Sequence, residues 1–275
     1  MSDGIKSGKL YPVLSCGLAS GLVIVSPGCG NKVKRGGKDY YDMMATTPHQ
    51  THSVNVKVVE RVFDRDTEDT DALVTFKDDV AIGVRTADCV PVLMYAEDVN
   101  GVAAVHAGWK GTLGGIVDNT LDVLEGKGAD LSKLKVVFGP SISAKNYEVD
   151  AELAGRFAEA GFEDYVSWPN GKERKPHLDL QGVNMERLRR RGVKDENIVP
   201  SQLCTFDSKD DDGSYLFPSY RRENGTSDRL LTCISLLNRE VVEQNRRRWQ
   251  RLMRWANEIT TRDAAADGER EEKSE

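Results

Sequence analysis

Short apolar runs broken by polar or glycine-bearing turns fill the chain between residues 54 and 106. Residues 54–60 are valine-rich and partly alternating, which predicts a strand. Residues 72–76, 80–85, 90–95 and 101–106 continue the series. Lys77-Asp78-Asp79 and Glu97-Asp98-Val99-Asn100-Gly101 separate them as turns, and the Asn100-Gly101 pair is a hairpin signal. Connections this short hold no helical crossover, so antiparallel or mixed pairing is expected here. Upstream, residues 10–25 are moderately apolar but interrupted by Pro12, Gly17 and Gly21. That pattern predicts a strand pair with a turn rather than a cleaved leader.

The period then lengthens. Leu113, Ile116, Val117, Leu121 and Leu124 recur at helical spacing, with Thr112 as the expected cap and Gly126 as the stop. Residues 135–138 predict a strand halted by Gly139-Pro140. Asp150 is expected to cap a helix running to Ala160 before Gly161. Residues 183–191 predict a helix ended by Gly192, and 216–220 and 230–236 predict late strands. Strands interleaved with helices define an α/β domain over residues 1–238. From 239 the character changes. Arg246-Arg247-Arg248-Trp249-Gln250-Arg251 opens a basic helix over 239–262, and the charged stretch 263–275 is expected to be disordered.

Composition narrows the classes. At 275 residues and 39% hydrophobic, the chain can build a sizeable core. A net charge of −6 argues against a nucleic-acid partner, which calls for a basic face. No run reaches the ~20 apolar residues of a membrane span. Five cysteines at irregular spacing, without a CxxC pair, fit reduced thiols in a cytoplasm.

Candidate chemistry sits where strand-like runs meet polar breaks: His52, Cys89 and His106. Two imidazoles and one thiolate form a three-ligand zinc set with a fourth position open for water or substrate. Asp88, beside the thiolate, could orient an imidazole or accept a proton. A metal-free alternative uses the same residues, with Cys89 as nucleophile and His106 as base. A multicopper centre needs roughly ten imidazoles, and the chain has four histidines, so copper is expected at most as a stray ion. Trp109 reads as a core plug ahead of a stacking surface. His49 is expected to be exposed, His177 to lie in a loop, and Cys204 to be structural.

Thr86-Ala87-Asp88-Cys89-Val90-Pro91-Val92, followed by Val105-His106-Ala107-Gly108-Trp109-Lys110-Gly111, resembles a known family. It is the laccase-like "multicopper polyphenol oxidase" family, later described as zinc-containing purine nucleoside phosphorylases. Bacterial members have also been called peptidoglycan editing factors. The likeness runs from about His49 to Leu237. It is supported by Gly139-Pro140-Ser141-Ile142, Tyr147-Glu148-Val149, Leu178-Asp179-Leu180, Asn184, Cys204-Thr205 and Ser219-Tyr220-Arg221-Arg222. The chain departs from the family pattern at Ser53, at Ser143-Ala144-Lys145-Asn146 and at Ser227-Asp228-Arg229.

The resemblance implies a layered α/β/β/α sandwich with mixed sheets, a fold shared with some cysteine hydrolases. It implies a metal, zinc in this family, at His52, Cys89 and His106. The residues themselves make Asp88, Cys89 and His106 the catalytic candidates. The resemblance also implies phosphorolysis of adenosine, inosine, guanosine or methylthioadenosine, and deamination of adenosine. The partners would be purine nucleosides and phosphate, with no nucleic acid and no membrane, in a possible homodimer. Phosphorolysis needs cations to hold phosphate, and Arg85, Lys110, Arg221 and Arg222 are the candidates. Gln50 could bond a base or phosphate. Two alternatives are a Cys-His hydrolase editing a peptidoglycan precursor and a partner-binding role for the basic C-terminal helix.

Overall fold

The computed structural model describes residues 10–16, 19–26, 45–61, 67–78, 80–171, 173–226 and 228–236. In chain order the strands and helices are β1 (Leu10–Cys16), β2 (Ala19–Ser26), β3 (Val56–Val58), β4 (Ala72–Thr75), β5 (Ile82–Thr86), β6 (Val90–Ala96) and β7 (Gly101–Ala107). There follow α1 (Trp109–Gly114), α2 (Ile116–Glu125), β8 (Lys135–Phe138), α3 (Ala151–Phe157), β9 (Val166–Ser167) and β10 (His177–Leu178). Last come α4 (Leu180–Arg190), β11 (Ile198–Val199) and β12 (Arg229–Leu236). The expected basic helix and tail lie outside the described residues. No described helix is long and apolar enough to cross a membrane.

The central sheet has six strands in the order β11-β8-β6-β7-β4-β3. Its outermost pairs are parallel and its inner pairs antiparallel, so it is mixed as expected. A second sheet, β1-β2-β12-β5, is wholly antiparallel. β9 and β10 form a separate pair.

Every residue of β6 and β7 is buried, because both faces of the central sheet are covered. Val92, Met94, Ala103 and Val105 meet Ile116, Leu121, Leu124 and Val183 from the helices. Leu93, Tyr95, Val102 and Ala104 meet Ile82, Val84, Ile234 and Leu236 of the second sheet. A doubly covered strand needs no polar alternation, which is why these runs are continuously apolar. Each large aliphatic side chain buried here contributes about 1.5–3 kcal/mol. The outcome is a layered mixed α/β fold with helices, central sheet and second sheet stacked in turn.

The expected elements largely form, with informative shifts. The Asn100-Gly101 signal does close a hairpin, with residues 97–100 as the connection and Asn100 left-handed at φ 47. The single helix expected from Thr112 to Gly126 is two helices, because Gly115 adopts φ 89 between them. Thr112 therefore lies inside α1 rather than capping it, and its Oγ1 accepts from Asn184 Nδ2 at 2.9 Å. Asp150 stands at the start of α3, but its carboxylate pairs with Lys175 instead of a helix N–H. α4 begins three residues earlier than the periodicity predicts, because the Asp179 carboxylate accepts from Gly182 N at 2.8 Å. Residues 216–220 form no strand. Their backbone groups go instead to a compact turn, where Leu216 N donates to Ser208 O and Glu223 N to Ser219 O.

Candidate active site

His52, Cys89 and His106 reach one point from three different elements. His106 comes from the end of β7, Cys89 from the bend between β5 and β6, and His52 from the loop before β3. Their ligand atoms all lie within 4.8 Å of one another. Cys89 Sγ is 3.8 Å from His52 Nε2, and the two imidazoles meet edge to face at 4.9 Å. His52 and Asp88 both hold positive φ, at 63° and 89°. These are sparsely populated conformations for non-glycine residues, of the kind found where a turn must aim a side chain.

The residue that assembles the cluster is one the sequence did not single out. Asp71 is fully buried at the entrance of β4. Its Oδ2 accepts from Thr51 N (3.1 Å), Ser53 N (2.7 Å) and Ser53 Oγ (2.9 Å), and its Oδ1 from His52 N at 3.1 Å. Oδ1 also lies 2.6 Å from His106 Nδ1. A carboxylate only accepts, so that nitrogen carries the proton, which leaves Nε2 to face the cluster. One side chain thus fixes the ring of one imidazole and the backbone of the other. The only trace of this in the sequence is an acid opening an otherwise apolar strand.

Electrostatics follow the same contacts. Burial raises the cost of a charged Cys89, yet the charge and hydrogen bond of His106, helped by His52, bring the thiol down to about 6. Burial opposes a charged His106, but Cys89 and Asp71 raise it to about 9. Asp71, despite its burial, is held down to about 2 by His106 and Ser53. The bare cluster is therefore a thiolate–imidazolium pair backed by a carboxylate.

The donor set fits a zinc ion. Tetrahedral zinc with thiolate and imidazole ligands places donor atoms about 3.3–3.6 Å apart, close to the Cys89–His52 separation. His106 has its required carboxylate partner in Asp71. Gly108 leaves the space open, since a Cβ there would stand 2.6 Å from His52 Cδ2 and 3.1 Å from Cys89 Sγ. His49 pairs with Glu68 and His177 with the Ala144 carbonyl, so neither adds a ligand.

A cleft of about 610 Å³ adjoins the cluster, lined by Trp109, Tyr147, Glu148, Arg156, Lys175 and Arg221 among others. Trp109 directly follows Gly108. Tyr147 is pushed up to about 12 by burial and by its closeness to Cys89.

The remaining candidates divide sharply. Arg221 lines the cleft, with its guanidinium 5.2 Å from the Tyr147 ring centre and donating to Glu148 O at 2.7 Å. Arg222 turns the other way and donates to the carbonyls of Thr205, Phe206 and Phe217 at 2.7–2.9 Å. That correction has a plain cause: the turn sends successive side chains in opposite directions, and three carbonyls saturate the second. Gln50 is also corrected. Its amide donates to Arg85 O and accepts from Arg85 N, at 2.7 and 2.8 Å, so it extends the edge of β5 instead of facing a ligand. Arg85 alternates with Ile82 and Val84, which places it on the opposite face of that sheet from the inter-sheet core. Lys110 is exposed, 5.6 Å from the Trp109 ring centre. Asp88 touches neither imidazole. It accepts from Thr205 Oγ1 (2.6 Å) and Arg221 N (2.7 Å), tying the 204–222 segment to the Cys89 bend. The orienting role expected of it falls to Asp71.

Fold and site together define a mixed α/β protein with a His–Cys–His cluster near a cleft that Trp109 and Tyr147 help to line. Residues 38–237 match the family described as "Multi-copper polyphenol oxidoreductase laccase", and the chain belongs to that family. Among its relatives is "Adenosine deaminase RL5" of an unknown prokaryotic organism, 36% identical over 167 residues, which are 58% of this chain and 64% of that protein. A "Purine nucleoside phosphorylase" of Deinococcus radiodurans is 35% identical over 62% of each chain. The chain thus spans somewhat under two thirds of these two relatives. Another protein of that name, from Aquifex aeolicus, is 35% identical over 76% of this chain and 90% of its own. Among solved structures, protein NMB0706 of Neisseria meningitidis superposes with a TM-score of 0.68 at 25% identity, covering 85% of this chain and all of that one. Protein YfiH of Bacillus licheniformis gives 0.64 at 28% identity over 71% and 75% of the two chains.

Proposed function

We propose that the protein is a zinc-dependent purine nucleoside phosphorylase that also deaminates adenosine and cleaves methylthioadenosine, working in the cytoplasm. The observation that carries this reading is the convergence of His52, Cys89 and His106 on one point beside an open cleft. Relatives named for both activities support it. His52, Cys89 and His106 would hold the zinc, which when bound would supply a Lewis acid able to polarise an oxygen.

The chain's own residues do the rest. Asp71 keeps the proton on His106 Nδ1 and the donor atoms in register. Arg221, anchored at Glu148 O and Asp88, presents a guanidinium in the cleft for phosphate. In phosphorolysis the phosphate oxygen bonds the anomeric carbon as the bond to the base nitrogen breaks, and the base leaves with a proton. In deamination water replaces the amine, which leaves as ammonia. Positioning supplies much of the acceleration in the first reaction.

Metal content by mass spectrometry and phosphate-dependent release of base from adenosine, inosine and methylthioadenosine test the reading. About one zinc per chain, lost together with base release in Cys89→Ala, is the expected result. Full activity in Cys89→Ala and His106→Ala would overturn it.

One observation favours a second reading. Cys89, His106 and Asp71 stand in line as nucleophile, base and orienting carboxylate. Without metal this is the arrangement of a cysteine hydrolase, for which a cell-wall peptide precursor is the proposed substrate. Wild-type protein that purifies free of metal and forms a covalent thioester on Cys89 would select it.

A further inference from the structure

Trp109 takes no part in the ligand cluster, and the sequence suggested a core plug. It is only half-buried: part of it packs against the helix-side core, and part lines the cleft. It starts α1 immediately after Gly108, the residue wedged against the His52 ring and the Cys89 sulfur. A flat group lying on the indole would therefore begin one residue from the reacting centre, on a wall that the core holds still.

The ring already attracts cations. The Arg156 guanidinium carbon lies 5.4 Å from its centre. Arg156 is exposed on α3 and lines the same cleft, so its long side chain can lift to admit a ring. Glu148 and Glu152 add carboxylates that accept from amino and hydroxyl groups. An aliphatic ligand would leave the indole and both carboxylates unused. A flat heterocycle bearing amino and sugar hydroxyl groups satisfies all of these groups at once.

We propose that Trp109 and Arg156 clamp the purine base of the substrate, stacking it between indole and guanidinium at the entrance to the ligand cluster. The inference rests on the nucleoside reading and deepens it. Stacking tolerates base identity because every base has a π face, so this wall accepts adenine, hypoxanthine and guanine alike.

The test measures steady-state phosphorolysis, zinc content and melting temperature for wild type, Trp109→Phe, Trp109→Leu and Arg156→Ala. It adds a fluorescence titration with adenosine in the absence of phosphate. Trp109→Leu is expected to raise the nucleoside KM about tenfold or more, within the range base–aromatic stacking supplies, with phosphate KM and zinc content unchanged. Trp109→Phe keeps a π face and should stay within a few-fold of wild type. Arg156→Ala should raise the nucleoside KM about three- to fivefold, in line with a cation stacked on a ring. Adenosine should quench a fluorescence component that is absent in Trp109→Phe. An unchanged nucleoside KM in Trp109→Leu, with only a lower melting temperature, would overturn the clamp and leave a packing role. Should Trp109→Leu fail to fold, an unchanged KM in Arg156→Ala overturns it equally. Wild type without phosphorolysis but with adenosine quenching of Trp109 would sink the functional reading and support the stacking wall.

Discussion

Asp71 shows how much one buried carboxylate can decide. Its five hydrogen-bond contacts require acceptors on both oxygens, and asparagine offers only one. Whichever way the amide turns, an N–H faces either His106 or the Thr51–Ser53 backbone. Asp71→Asn should therefore weaken zinc binding about 10–100-fold, with a stability loss of about 3 kcal/mol for breaking a buried pair. Competition with a chromophoric chelator and denaturant unfolding measure the two. The thiol offers a pH test. The thiolate is the reactive form, so a lowered pKa moves the rise in alkylation rate to lower pH. In metal-free protein the iodoacetamide rate at Cys89 should climb through about pH 6 and level off above it. His106→Ala should move that rise upward, toward the ordinary thiol range. Cys233, pushed up to about 12 by burial, should stay unlabelled, and peptide mapping distinguishes the sites.

At the scale of elements, adjacent arginines on one turn have opposite duties. Arg222 serves three backbone carbonyls that no strand or helix satisfies, and Arg221 reaches the cleft. Arg222→Ala should cost about 2–3 kcal/mol of stability, because buried carbonyls lose a charged donor. Arg221→Ala should leave the melting temperature near wild type and raise the phosphate KM about tenfold. Thermal unfolding beside a phosphate titration of base release separates them, and matching effects in both variants would refute the division. The sequence presented the two as one Arg-Arg pair. Side-chain direction in a turn depends on local φ and ψ, which composition does not reveal. For the same reason the expected strand over 216–220 proved to be a turn, and Gly115 split a helix whose apolar spacing runs through unbroken.

Across the whole molecule, the site depends on contacts between segments far apart in the chain. Asp88 bonds Thr205 and Arg221, 117 and 133 residues away. Asp88→Ala leaves a buried hydroxyl and an amide without their acceptor. It should cost about 2–3 kcal/mol and loosen the cleft wall, seen as faster hydrogen exchange over 204–222. Unchanged exchange there would show that the segment is held by other contacts. β7, buried along its whole length, carries His106, and β6, equally buried, begins directly after Cys89, so the central sheet holds two of the three ligand positions while His52 comes from a loop.

By itself the sequence determined the alternation of short strands with helices and the mixed α/β class. It also picked out three metal-binding side chains, two imidazoles and a thiol, at the ends of apolar runs. Periodicity and residue chemistry are local properties, and each of these readings needed only local information. Only the tertiary structure decided that Asp71, not Asp88, orients the imidazoles. It likewise showed that Gln50 and Arg222 serve the backbone, and that Trp109 faces a cleft. Those outcomes depend on which distant groups meet and which polar atoms are already satisfied, and chain order carries neither.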